Sequence, residues 1–99
     1  MIAALMMLAS ASDQFVSGSI LKMQCERKED SCVSYILGVV DTVATLAPNV
    51  VCIRPHVNAA ELRSIVLDEL NSHPESAGYG AAQYILIALR ESFPCKNSN

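Results

Sequence analysis

Four cysteines in a chain of 99 residues, Cys25, Cys32, Cys52 and Cys95, constrain the fold more than any other feature. A chain this short forms one domain with a modest core, and domains of that size are often held together by covalent staples. An even cysteine set is read as disulfides only in an oxidising compartment. Four cysteines allow three pairings. The competing use is a zinc site of four thiolates, which normally draws on close C-x-x-C pairs. Six residues separate even the nearest pair, Cys25 and Cys32, so no such knuckle exists and no metal is expected.

The amino terminus bears on the compartment. Residues 1–11, Met-Ile-Ala-Ala-Leu-Met-Met-Leu-Ala-Ser-Ala, carry no charge. The run is too short to span a bilayer, which takes about twenty apolar residues. It ends in Ala9-Ser10-Ala11, the small-x-small pattern of a signal-peptidase site, and Ser12-Asp13-Gln14 makes an abrupt polar break. Residues 1–11 are therefore expected to be the apolar core and cleavage site of a secretory signal, although no Lys or Arg precedes them. Residues 12–99 are the expected mature domain, with no membrane insertion of its own.

Composition excludes several function classes. With 52% hydrophobic residues the chain can form a core, so disorder is excluded. Seven basic against ten acidic residues give a net charge of −3, without the basic face that nucleic acid or an anionic membrane requires.

Helical periodicity dominates the rest. Ser17 is placed to cap a helix from Gly18 to about Glu26, with Ile20, Leu21 and Met23 available for burial. Glu26 to Asp30 reads as a polar connector, and Asp30 or Ser31 as the next cap. Val33, Ile36, Leu37, Val40, Ala44 and Ala47 then follow helical spacing until Pro48-Asn49. Val50-Val51-Cys52-Ile53 is β-rich, but a lone strand is unstable, so an extended loop is expected. Asn58-x-x-Glu61 has the spacing of a capping box ahead of the stripe Leu62, Ile65, Val66 and Leu70. His73-Pro74-Glu75 breaks that helix. A last one runs from about Tyr79 to Ser92, with Ala82, Ile85, Leu86, Leu89 and Phe93 on one face, and Pro94 stops it. The expected fold is all-α, a small four-helix domain stapled by two disulfides. That layout favours Cys25–Cys32 at the first helical turn and Cys52–Cys95 between the central loop and the carboxyl end.

No catalytic constellation emerges. A Cys–His nucleophile needs a free thiolate, whereas every cysteine has a structural partner in this layout. His56 and His73 read as a surface and a capping histidine. No G-x-S-x-G elbow and no phosphate loop is present. Asp68-Glu69 and the Glu26/Glu29/Asp30 cluster read as solvated faces. One oddity is Gly38 inside the longest helix, flanked at three-residue steps by Tyr35 and Asp41. A helix-interior glycine costs about 1 kcal/mol relative to alanine, and close approach of another helix is the expected reason.

The ordered set Gly18-x-x-Leu21-x-x-x-Cys25, Cys32-x-x-Tyr35-x-x-Gly38-x-x-Asp41 and Cys52-Ile53-x-Pro55 continues with Glu61-Leu62 and Leu70-x-x-His73-Pro74-Glu75. It closes with Ala88-Leu89-x-x-x-Phe93-Pro94-Cys95. This series resembles the Tai (type VI amidase immunity) family, which includes the Rap-type immunity proteins, over nearly all of residues 15–95. The resemblance implies a periplasmic, helical, disulfide-bonded protein that is not an enzyme and takes no cofactor. Its implied partner is a peptidoglycan amidase delivered by a type VI secretion system, whose Cys–His cleft it occludes, often as a homodimer. The motif residues look architectural, so contacts with a cognate toxin are expected from polar loop residues: Asn49, Arg54, His56, Asn58, Glu75, Ser76 and Tyr79. The alternative is a small periplasmic helical binding module or an acid-stress chaperone.

Overall fold

The computed structural model of the chain describes residues 15–73 and 78–96. The signal segment 1–11 lies outside the described residues, as do Glu75 and Ser76. Four helices make up the described fold: α1 (Gly18–Glu26), α2 (Asp30–Leu46), α3 (Ala59–Ser72) and α4 (Ala81–Ser92). No strand is present among the described residues, and residues 50–53 are an extended loop as expected.

Each helix boundary has a local cause. The Ser17 hydroxyl accepts from the Ile20 N–H at 3.1 Å and starts α1. At its end the Glu29 N–H donates to the Gln24 carbonyl and the Lys28 N–H to the Cys25 carbonyl. This double closure leaves Lys28 at φ 57°, a left-handed position usually held by glycine. The cap of α2 is Glu29 rather than Asp30 or Ser31, and its side chain makes no capping bond. Instead its carboxylate accepts from the Ser31 hydroxyl at 3.3 Å. Asn58 caps α3 by accepting from the Glu61 N–H at 2.8 Å. Glu61 does not complete the box; its carboxylate is taken by Arg54. Helix α4 starts at Ala81, later than expected, where the Gln83 side chain accepts from the Gly80 N–H at 2.9 Å.

The core gathers Leu21, Cys25, Cys32, Ile36, Leu62, Val66, Leu70, Tyr84, Ile85, Leu89 and Phe93. Burying each large apolar side chain contributes about 1.5–3 kcal/mol before entropy is counted. On α1 the buried positions are Gly18, Leu21 and Cys25, while Ile20 and Met23 are partly exposed. The buried face of α4 is Ala81, Tyr84, Ile85, Ala88 and Leu89, so the expected stripe was rotated toward Ala82 and Leu86. Gly18 explains the rotation. A Cβ there would come within 2.3 Å of the Tyr84 ring, so the missing side chain on α1 is the seat of the buried tyrosine on α4.

Gly38 has no such neighbour. A Cβ built on it meets nothing within 4 Å, so close approach of another helix among the described residues is not the reason for this glycine, whereas Tyr35 is partly buried against the core. Gly38 lies on the solvent side of α2, while Val39, Val40 and Val43 of the same half pack against the core.

The disulfides are Cys25–Cys32 and Cys52–Cys95. The first closes the α1–α2 turn. The second ties the central loop to the segment after α4, where the Cys52 N–H also donates to the Phe93 carbonyl at 2.9 Å. The other end of α4 is held by backbone bonds from Gly18 N–H to the Tyr79 carbonyl (3.0 Å) and from Ala81 N–H to the Val16 carbonyl (2.8 Å).

Candidate interaction loops and the buried carboxylate

Residues 47–58 form a loop between α2 and α3 that is braced at several points. Pro48 follows the end of α2, and the Val50 N–H donates to the Ala47 carbonyl at 3.0 Å to turn the chain. Cys52 then anchors it covalently, and Val51 is buried beneath. The Arg54 guanidinium lies 5.1 Å from the Phe93 ring centroid and pairs with Glu61. Pro55 leads into His56 at φ 70°, the positive φ that a type II turn demands of the residue after its proline. This loop is rigid because it is pinned to α4 by a disulfide and a backbone bond, and to α3 by an ion pair.

The sequence-predicted contact residues do not form one patch. Asn49, Arg54, His56 and Asn58 belong to this loop, and all are exposed. Two of them have structural duties: Arg54 joins the loop to α3, and Asn58 caps α3. Asn49 and His56 have no such duty in the fold. Asn49 lies on the rim of a cleft of about 540 Å³ with Val50, Leu86, Arg90 and Pro94. Tyr79 lies at the opposite end of α4, half-exposed, its ring 6.1 Å from that of Tyr84. The length of α4, about 18 Å at the usual helical rise, separates it from the loop.

The structure also reveals a buried carboxylate that the polar look of Asp68-Glu69 concealed. Asp68 is exposed as expected, whereas Glu69 is only 7% exposed. Its carboxylate lies 2.9 Å from the His73 Nδ1, one turn along α3. It lines a cleft of about 210 Å³ with Asp68, His73 and, from α4, Glu91. Burial, reinforced by the nearby Glu91 carboxylate, raises the Glu69 pKa above the usual carboxylate value, and His73 opposes the rise. The spacing held the signal. Glu69 stands three residues after Val66 and on the Leu62–Val66–Leu70 face, so helical phase points it inward.

Catalytic chemistry finds no support at these places. All four cysteines are bridged, so no thiol nucleophile exists beside either histidine. Among the described residues no cluster of His, Cys, Asp and Glu has the arrangement of a metal site. No helix of the described residues is long and apolar enough to cross a membrane.

Comparison with protein families finds a match to the Rap1a immunity proteins over residues 17–95. The chain belongs to the Rap1a immunity protein family. The matched span runs from the cap of α1 to the last cysteine, so it takes in all four helices and both disulfides. Family membership carries an immunity role toward a protein effector, and the two disulfides fit an oxidising compartment. Comparison with curated proteins and with solved structures gives no significant match.

Proposed function

We propose that this Rap1a family member is a periplasmic immunity protein that binds and occludes a peptidoglycan amidase delivered by a type VI secretion system. The observation that carries this reading is the family match across the whole described fold, on a chain whose cysteines are all oxidised. In this reading the protein works by binding rather than catalysis, and its working unit is a homodimer. Residues 1–11 direct export and are removed, leaving residues 12–99 to act in the periplasm.

The amidase-facing surface in this reading is the stapled loop, with Asn49 and His56 as its free polar side chains. Arg54 and Asn58 hold its shape, and Glu75, Ser76 and Tyr79 remain further contact candidates of this reading. A rigid loop suits inhibition because little conformational entropy is lost when it enters a cleft. The acidic balance favours encounter with a basic enzyme surface, an effect on association rate more than on affinity.

The test is a pull-down with the oxidised protein from a type VI-active lysate, followed by mass spectrometry. Recovery of a small Cys–His amidase, inhibited on peptidoglycan when mixed with the protein, is the expected result. Recovery of nothing, or of many unrelated periplasmic proteins, overturns the amidase assignment and leaves the family standing.

A further inference from the structure

The two disulfides differ in their access to solvent. Cys25 and Cys32 are 1% and 0% exposed and belong to the core, so a reagent reaches them only by opening the fold. Cys95 is 9% exposed, and its partner Cys52 is exposed to solvent. Thiol–disulfide exchange begins when a thiolate attacks one sulfur of the pair, and its rate follows access to that sulfur. Attack at Cys52 is therefore the route open in the folded protein, while the inner bridge is closed to it.

The accessible bridge is also the one that holds the polar loop. Residues 47–58 link α2 to α3 without a helix or strand of their own. Connections of about twelve residues are uncommon in a compact domain and, when ordered, are most often functional. Beyond the covalent bond, the loop is joined to the end of α4 by the Cys52 N–H to the Phe93 carbonyl (2.9 Å) and by Arg54 over the Phe93 ring. The same Arg54 supplies the ion pair to Glu61 on α3, whose side chains are 58% and 37% exposed. An ion pair so open to water restrains weakly. The ties thus converge on Cys52 and Arg54, and opening the bridge removes the strongest of them.

We infer that Cys52–Cys95 is a redox switch on this loop: a dithiol reductant opens it in the folded protein and weakens partner binding, while Cys25–Cys32 stays closed. The inference rests on the loop as the partner-facing surface of the function proposed above, and adds the regulation of that surface. One thiolate of the dithiol bonds to the Cys52 Sγ, the S–S bond breaks, and Cys95 leaves as a thiolate that takes up a proton. The second sulfur of the reductant then attacks the mixed disulfide, releases Cys52 as a thiol and closes the reductant's own disulfide. Two electrons pass from the dithiol to the bridge, and an oxidant of the disulfide class reverses the step. The opened loop must be ordered each time it enters a cleft, so the reduced form binds less tightly.

The test is reduction of the folded, oxidised chain with limiting dithiothreitol, followed by alkylation and peptide mass mapping. Cys52 and Cys95 should be alkylated at least about tenfold sooner than Cys25 and Cys32. In the singly reduced protein, hydrogen exchange should rise in residues 47–58 and stay unchanged in peptides of α1 and α3. Capture of the amidase recovered in the pull-down should weaken by at least about tenfold and return on reoxidation. Cys52→Ser with Cys95→Ser fixes the open state without reductant, and its circular dichroism should keep the helical signal. Bridges that reduce together, Cys25–Cys32 reducing first, a loop indifferent to reduction, or a double variant that loses its helices each overturn the proposal. An amidase held equally by both forms overturns the switch alone. Selective opening of the loop in a chain that captures no amidase supports the switch and counts against the amidase.

Discussion

At the scale of single residues, two glycines do opposite things: Gly18 is crowded by a neighbouring ring, and Gly38 faces open space. The space a Gly18 side chain would take is filled by the Tyr84 ring, which is 1% exposed. Gly18→Ala should therefore destabilise by about 3 kcal/mol through overpacking, and lower the melting temperature by more than ten degrees or so. An unchanged melting curve would show that the Tyr84 ring can shift. Lys28 offers the reverse case. Its φ of 57° is a strained setting for a side chain and a natural one for glycine. Lys28→Gly should raise stability by roughly 0.5–1 kcal/mol in urea unfolding, net of the extra freedom glycine gives the unfolded chain.

At the scale of elements, the two staples differ in what they restrain. Cys25–Cys32 closes a loop of seven positions and Cys52–Cys95 one of 43. On the loop-entropy model their loss costs about 2.4 and about 4 kcal/mol. Cys52→Ser with Cys95→Ser should thus lower the urea midpoint well beyond Cys25→Ser with Cys32→Ser. The expected order reverses if strain rather than chain entropy sets the balance. Helix starts were legible where a side chain caps them, as at Ser17 and Asn58, and stops were legible at Pro48 and Pro94. Helical phase was harder. Helix α4 reads AAQYILIALRES, apolar at so many positions that two neighbouring stripes fit equally well, and only Gly18 on another helix decides between them. The candidate loop was legible as polar, but not which of its residues the fold consumes. Glu61 satisfied a local capping rule on paper, while its partner in space is Arg54 from outside the helix.

For the molecule as a whole, the buried carboxylate gives stability a dependence on acidity. Glu69 has its pKa raised in the folded state, chiefly by burial and then by Glu91, with His73 acting the other way. A carboxyl raised on folding contributes stability that is fully present below its unfolded pKa. That contribution is lost as pH rises through the folded value. The protein should therefore lose stability relative to its Glu69→Gln variant from about pH 4.5 upward. Above the folded pKa the difference should level off. Urea unfolding of the pair from pH 4 to pH 8 measures it, and a difference independent of pH would place the raised proton elsewhere.

The two disulfide loops neither overlap nor nest: one closes at Cys32 before the next opens at Cys52. Consecutive cysteines are thus the correct partners. A chain that enters an oxidising compartment amino end first presents Cys25 and Cys32 together, well before Cys52 and Cys95 arrive. Pairing in order of arrival yields the native connectivity, and each bridge forms while its competitors are absent or already closed. Oxidative maturation then requires no reshuffling of bonds. A defence of this kind can reach working form as fast as it is delivered.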